Sequence, residues 1–472
     1  MNRFKNWRDS MLIKGAVLLL LLLVLCIPLS QIEWVIHDRQ STEQAAVQEL
    51  AQTYVGPQTL VGPVLVVPYV ERWEVPGRNE RGQPTELQPR SEQRYQLFFS
   101  QQSDLVGTLA PQMRYRGIFT VPFYQLQGQM QGRFAPFAPS QLVQQVRGST
   151  IEVQTPALVL SVSDLRGLQG VPQLRMADAP LSFERRAPHI PAAGWLSSAV
   201  HAPLSGAALQ AFNAGQALPF QLDLQLAGQD ELALAPLADE TTAHLTSPWP
   251  HPRFGGRFLA TERRVSDAGF DAHWRIAGLT SQAREQVRAS LGGDEGARSA
   301  RGELDSFNVA LAQPVSVYSM SERAAKYGAL FIALVLLAVF TTELVKRLRL
   351  HPVQYALVGA ALTLFFLLLL SLAEHLRFEQ AYAVAATGCV LLLTYYASHI
   401  LGSLRRGLPF GALMALLYGM LFILLQLEQM ALVVGSLALF LVLAAVMVLT
   451  RELDWYALAK GAPARHRGAG LA

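Results

Sequence analysis

Cysteine is almost absent from this chain. Only Cys26 and Cys389 occur among its 472 residues, and both lie inside long apolar runs. The segment between these runs, about 300 residues long (31–326), contains none, which excludes a disulfide framework there. A segment of that length can bury a sufficient hydrophobic core without cross-links.

Charged residues are also scarce. They make up 16% of the chain, against about a quarter in ordinary soluble proteins. Apolar residues are concentrated in 15–29 ("GAVLLLLLLVLCIPL") and in the part that follows Gly328. This distribution predicts a membrane protein with one large soluble insert. The net charge of +4 then reflects membrane topology and gives no support for nucleic-acid binding.

Long apolar segments set the number of predicted spans. A helix needs about 20 apolar residues to cross the hydrocarbon core. Six segments reach or approach this length: 12–30, 328–345, 353–373, 380–399, 408–427 and 430–450. The first follows a basic stretch, as in a signal peptide. Its exit, "CIPLSQIEW", lacks the small-x-small cleavage pattern, which favours an uncleaved anchor.

Basic residues in the tails and short loops predict the orientation. With six spans, Arg377 is alone in the short loops on one side, and thirteen basic residues share the other side. These are Arg3, Lys5, Arg8, Lys14, Lys346, Arg347, Arg349, Arg405, Arg406, Arg451, Lys460, Arg465 and Arg467. We therefore predict a bacterial inner membrane protein with both termini in the cytoplasm. Its predicted parts are a tail (1–11), an anchor (12–30), a periplasmic domain (31–326), a five-helix domain (327–450) and a tail (451–472).

The predicted periplasmic domain is rich in β-strand patterns. After a short predicted helix at 40–54, alternating apolar residues and frequent Pro and Gly are typical of antiparallel sheets packed as a sandwich. The strand-like runs are 63–75, 94–99, 115–134, 151–165, 220–228 and 269–279, with a more helical part at 193–215.

The stretch 247–258, "SPWPHPRFGGRF", has two interpretations. Each X-Pro step disfavours helix, so the segment is extended and stiff, and two glycines allow a turn after it. As a ligand platform it would offer Trp249, His251 and Arg253. As a corner between strands it would only use Trp249 to cover the core, and we favour this interpretation. His244 and His273 could approach His251 in the fold and form a metal site with it. The three histidines lack the spacing of a metal motif, however, so we predict no metal site.

Catalytic motifs are missing. The sequence has no H-E-x-x-H, no Walker motif and no G-x-G-x-x-G after a strand. We therefore predict no enzymatic activity, no catalytic residue and no cofactor.

Two acidic positions in the membrane part have functional and structural interpretations. Glu374 and His375 end the third predicted span, where an acid–imidazole pair could shuttle protons or simply mark the membrane boundary. Glu343 lies three and four residues before Lys346 and Arg347, so we expect a local charge pair on one helix face.

Long stretches of this sequence resemble the CreD family of inner membrane proteins. The resemblance is carried by "LTSPWPHPRFGGRFL" (245–259), "GFDAHW" (269–274), "GPQTLVGPVLVVP" (56–68) and "TRELDWYAL" (450–458), and it extends through 351–375. It implies a role in cell envelope integrity, with tolerance to group E colicins and some β-lactams. It also implies a place in the regulon of a carbon-source-responsive two-component system. It transfers no catalytic residues.

Two functions fit these observations. The first is a non-enzymatic envelope protein that supports envelope integrity or stress tolerance. Its periplasmic domain would bind periplasmic or envelope proteins or another surface component, and its helices would lie in the lipid bilayer. The alternative is a transporter or channel in which the periplasmic domain serves as receptor or lid.

Overall fold

The structure is a computed structural model that describes residues 11–78, 84–291, 304–312, 317–346, 350–426 and some positions between 433 and 451. It consists of two compact units. We call Met1–Gln44 with Val315–Ala472 the membrane unit, and Ala45–Pro314 the sheet unit.

Eight helices are described in the chain. In chain order they are α1 (Met11–Thr53), α2 (Gly206–Asn213), α3 (Ala283–Ser290), α4 (Val317–Lys326), α5 (Gly328–Lys346), α6 (Pro352–Ala373), α7 (Phe378–Ile400) and α8 (Leu404–Gln426). The short helices α2 and α3 belong to the sheet unit. Four of these are long and apolar enough to cross a membrane, or five if α4 and α5, which meet at 45°, form one broken span. The predicted span 430–450 lies mostly outside the described residues. The protein is thus a membrane protein with several apolar helices and a large sheet-rich domain.

Helix α1 is longer than the sequence pattern suggested. We predicted a separate short helix at 40–54, but one helix runs without a break from Met11 to Thr53. The intervening stretch "QIEWVIHDR" (31–39) contains neither Gly nor Pro, so nothing in it ends the helix.

Sixteen strands are described in the sheet unit. They are β1 (Gln58–Arg78), β2 (Pro84–Phe99), β3 (Gln102–Arg116), β4 (Phe119–Phe134), β5 (Thr150–Val153), β6 (Ala157–Val162), β7 (Gln173–Met176), β8 (Ala179–Leu181), β9 (Ala199–Pro203), β10 (Leu218–Gln229), β11 (Glu231–Leu234), β12 (Glu240–Ser247), β13 (Pro252–Gly256), β14 (Glu262–Ser266), β15 (Gly269–Ala277) and β16 (Phe307–Leu311).

These strands form two eight-stranded sheets. The first has the order β13-β16-β11-β1-β6-β9, with β2 and β5 also paired to β1, and the second has the order β14-β15-β12-β3-β4-β10-β7-β8. Most pairs are antiparallel, as predicted, but β1 with β11 and β3 with β12 are parallel. Parallel strands cannot be joined by a tight hairpin, and long chain segments separate both pairs.

One hydrophobic core lies between the two sheets. Side chains from both contribute to it, for example Leu65 and Leu160 of the first sheet and Leu109 and Leu222 of the second. Strand β10 shows how the sequence produces this arrangement. Its residues from Leu218 to Leu226 alternate strictly between buried and exposed, so one face packs in the core and the other meets solvent.

The stretch 247–258 connects the two sheets. Strand β12 of the second sheet ends at Ser247, and β13 of the first sheet begins at Pro252. Gly256 has a positive φ of 80°, and a Cβ there would lie 2.3 Å from the carbonyl oxygen of Ser306. The chain therefore needs glycine where it leaves β13.

A buried carboxylate orders a turn beside β1. Glu71 has no exposed surface and accepts hydrogen bonds from Ser149 Oγ (2.6 Å) and the backbone NH groups of Val146 (2.8 Å) and Gln145 (3.0 Å). Arg94 Nε lies 2.8 Å from its other oxygen. The Ser149 and Val146 bonds are the main causes that lower the Glu71 pKa below the ordinary 4.5.

Replacing Gly256 by alanine should destabilise the sheet unit. Gly148 has nearly the same φ of 82° but open space around a Cβ, so Gly148→Ala is a matched control. Both changes carry the left-handed penalty of about 1–2 kcal/mol. The Ser306 contact adds to it only in Gly256→Ala, which we expect to melt at least roughly 2–4 °C lower than the control. The melting of the β-sheet circular dichroism signal of the full chain measures this. Equal melting temperatures would contradict it.

The Glu71 carboxylate should make stability depend on acidity. Because its folded pKa is lowered, its stabilisation is complete above the unfolded value near 4.5 and is lost as the pH falls through the folded pKa. We expect the melting temperature to fall between about pH 5 and pH 3, and to fall less in Glu71→Gln, which has no carboxylate to protonate. An unchanged pH profile in Glu71→Gln would exclude this role.

Candidate functional site

Trp249, His251 and Arg253 of the stretch 247–258, which we call the corner segment, have different surroundings in the fold. Trp249 donates from its indole Nε1 to the carbonyl oxygen of Ala312 (3.0 Å), and its ring packs against the core. His251 is exposed in the connection, and Arg253 is exposed on β13. Burial raises the pKa of Asp230, and the positive charge of Arg253 opposes that shift. Trp249 and Arg253 therefore interact with groups of the fold itself.

The histidines of this region separate into two groups. His244 of β12 and His273 of β15 lie together with Asp271, and that group does not include His251. The corner segment and the histidine pair are thus two separate candidate sites on the sheet unit.

Glu374 forms its ion pair with another helix. Its carboxylate lies 3.3 Å from Nε of Arg39 on α1, and it is hydrogen-bonded to Tyr318 of α4. His375 is exposed. These contacts connect the end of α6 to α1 and α4. They give Glu374 a structural role, in place of the acid–imidazole pair with His375 that the sequence suggested.

Glu343 also contacts α1. It is 3% exposed and lies 2.5 Å from Lys14 Nζ, and it accepts a hydrogen bond from the Tyr355 hydroxyl (2.5 Å). The side chains of the partners we expected, Lys346 and Arg347, lie outside the described residues. Lys14 and Arg39 are 25 residues apart, or about 38 Å along a helix. The two ion pairs on α1 are therefore separated by more than the roughly 30 Å of a hydrocarbon core.

The outer face of the second sheet carries an array of amide side chains, which we call the glutamine face. Its members project from β4 and β10 and are all exposed: Gln127, Gln129, Gln131, Gln221, Asp223 and Gln225. They form three directly opposed pairs in the β4–β10 register: Gln127 with Gln225, Gln129 with Asp223, and Gln131 with Gln221.

Hydrogen bonds between side chains hold part of this array in place. Gln129 donates to Asp223 (2.9 Å), and Gln131 donates to Asp104 of β3 (3.2 Å). Gln125, at the edge of the array, donates to Gln169 (2.6 Å). The amides are thus partly preorganised, with donor and acceptor capacity left for an external ligand.

Two open grooves run over this face. One, of about 630 Å³, is lined by Gln131 and Gln221 together with Arg133 and Arg175. The other, of about 710 Å³, is lined by Gln127, Gln129 and Gln225 and by the loop 169–172. The first groove also contains Asp104, Asp178 and Glu240 and is therefore lined by charges of both signs, whereas Asp223 is the one charged residue that lines the second. Amides and charged groups together suit hydrogen bonding to a polar ligand.

Sequence reasoning did not identify this face. The signal was present as Gln at every second position in "QLQGQMQ" (125–131), the same alternation that identifies the strand. The pairing with β10, which turns single rows into an array, could not be read from one strand alone.

Comparison with known proteins gives a family. The model for "Inner membrane protein CreD" matches residues 10–456. The chain is 32% identical over 454 residues to inner membrane protein CreD of Escherichia coli (strain K12), covering 96% of this chain and 94% of that protein. A crystal structure of an M1 zinc metallopeptidase from Deinococcus radiodurans aligns with 45% of this chain and 42% of its own, at 8% identity and a TM-score of 0.21. A likeness that weak carries no argument about fold or function, whereas the first two matches extend over nearly the whole length, so this chain belongs to the CreD family of inner membrane proteins.

Proposed function

We propose that this protein supports cell envelope integrity and stress tolerance as a non-enzymatic, membrane-anchored binding protein. In this proposal it has six spans, both termini are cytoplasmic, and residues 31–326 are periplasmic. Family membership and the distribution of basic residues support this placement. The lack of catalytic motifs in the sequence supports a binding role.

The glutamine face is the observation that carries the proposal. An enzyme concentrates perturbed titratable groups in a cleft, whereas this face offers mainly neutral amides, with Asp223 among them, on a rigid sheet. Each amide has donors and an acceptor, and successive side chains on one strand face lie about 6.6–6.8 Å apart. A regular ladder of this type fits a polymer with repeated hydroxyl and amide groups. We therefore assign a glycan strand of the cell envelope as the ligand.

The membrane unit has a supporting role in this proposal. The Lys14–Glu343 and Arg39–Glu374 pairs join α1 to the other helices near both ends of its apolar part. Ion pairs of this kind satisfy charges that would otherwise be costly near hydrocarbon. The alternative of a transporter or channel requires Glu374 to be available for chemistry, and its pairing with Arg39 instead favours support.

Removing one opposed pair of amides should weaken glycan binding. We expect the double variant Gln127→Ala and Gln225→Ala to bind purified peptidoglycan sacculi about 5- to 150-fold more weakly in a pelleting assay with the full chain in detergent. This range corresponds to two hydrogen bonds of about 0.5–1.5 kcal/mol each.

A matched control removes the same chemistry elsewhere. Gln88 and Gln93 are exposed on β2 of the first sheet, so Gln88→Ala with Gln93→Ala should leave binding unchanged. The proposed ligand would be wrong if the wild-type chain did not bind sacculi, or if both double variants lost binding equally. Binding of the wild type to an envelope protein alone would point to a protein ligand instead.

Exchanging the charges of the Arg39–Glu374 pair distinguishes a structural role of Glu374 from a role in transport. Arg39→Glu places two carboxylates together and should lower the melting temperature of the full chain by a few degrees, while Arg39→Glu with Glu374→Arg should restore it. If Glu374 only joins helices, the exchanged double variant also restores detergent resistance in a deletion strain. Restored stability without restored resistance would favour the transporter alternative.

A further inference from the structure

We propose that His244, Asp271 and His273 form a binding site for a divalent first-row transition metal ion, with Zn²⁺ as the expected occupant. The site lies on the outer face of the second sheet, where β12 pairs with β15. Its residues are not part of the glutamine face, so the inference is independent of the glycan ligand.

The strand register brings the three side chains together. His244 and His273 are directly opposed in the antiparallel β12–β15 pair, which places their Cβ atoms about 4.5–5.5 Å apart. Asp271 lies two residues before His273 and therefore on the same face. Ala272, between the two, and Trp274, directly after them, are buried in the core, which fixes the backbone that carries the cluster.

The distances between the donor atoms fit a bound ion. His244 Nε2 is 3.3 Å and His273 Nε2 is 3.1 Å from the same oxygen, Oδ1 of Asp271. All three donor atoms lie within 4.8 Å of one another. A tetrahedral Zn²⁺ with bonds of about 2.0–2.1 Å holds its ligand atoms about 3.3 Å apart. The two measured distances already match edges of such a tetrahedron.

The Nε2 nitrogen of His244 makes no hydrogen bond within the described part of the fold. This atom is buried and has no hydrogen-bond partner, although Asp271 lies within ion-pair distance. Buried polar atoms of proteins are nearly always satisfied, and one without a partner calls for a ligand or an ion. A metal ion between the two imidazoles and the carboxylate would use this lone pair.

The two rings stack with centroids 3.9 Å apart and an interplanar angle of 15°, and Nε2 of each lies close to the same carboxylate oxygen. Because an imidazole lone pair lies in the plane of its ring, one ring has to turn out of the stack when both bind the same ion.

The donor set limits the choice of ion. Two imidazoles and one carboxylate are typical of zinc and related transition metals, whereas Mg²⁺ and Ca²⁺ prefer oxygen ligands. The set supplies three ligands and leaves a fourth position for water or an external group. His273 and Asp271 are 47% and 45% exposed, so that position is open to solvent.

Metal protection of the histidines tests the site without any substitution. The full chain, purified without a histidine tag, is treated with diethyl pyrocarbonate with and without Zn²⁺, and the modified positions are identified by mass spectrometry. We expect Zn²⁺ to slow modification of His244 and His273 and to leave the exposed His251 unchanged. Equal modification of His244 and His273 with and without Zn²⁺ would overturn the proposal.

Direct titration of Zn²⁺ and of Co²⁺ into the same chain gives the second measurement. The wild type should bind one ion. Both the double variant His244→Ala with His273→Ala and the single variant Asp271→Asn should bind that ion at least about tenfold more weakly. His251→Ala is the control and should bind as the wild type does. Undiminished binding in both site variants would show that the metal binds elsewhere and would contradict the assignment. Absence of wild-type binding would also overturn the proposal.

Discussion

The two-residue period of the strands is the constraint on which the sheet unit depends. On β10 and β12 every second residue is buried in the core between the sheets, and the residues between them face solvent. The same alternation places the opposed amides on one outer surface and puts His244 beside His273. A register shift of one residue would exchange the two faces of a strand, so the core also fixes both surface arrays.

The strands themselves could be predicted from the sequence, because their signal is local. The runs at 220–228 and 269–279 correspond to β10 and β15, and the extended proline-rich stretch is the connection between the two sheets. Pairing is not local. The parallel β3–β12 pair joins residues more than one hundred positions apart, and nothing within either strand specifies its partner. The amide array and the histidine pair depend on such pairings, so neither could be recognised from spacing along the chain.

The charged residues of the membrane unit illustrate the same limit. Helical spacing predicts partners for Glu343 on its own helix, whose side chains lie outside the described residues, and the structure brings it to Lys14, which is 329 residues away in sequence. Local spacing shows which residues share a helix face but not which helix packs against that face. Where solvent is scarce, a charge needs a close partner more strongly than on an exposed surface. Helix packing then determines which partner the charge finds. For Glu343, Tyr355 adds to the Lys14 contact by donating a hydrogen bond to the carboxylate.

Glu71 and Asp271 show why burial of a carboxylate does not by itself mark a reactive site. Glu71 is the more deeply buried, yet one of its oxygens accepts three hydrogen bonds and the other lies 2.8 Å from the Arg94 guanidinium, and its pKa falls instead of rising. A carboxylate in that state is ionised and already occupied, which suits structural support. Asp271 is half exposed and shares one oxygen with two imidazole nitrogens, one of them without a hydrogen bond. A carboxylate that already has a cation beside it leaves no place for another, whereas two imidazoles and a half-exposed carboxylate leave room for an external ion.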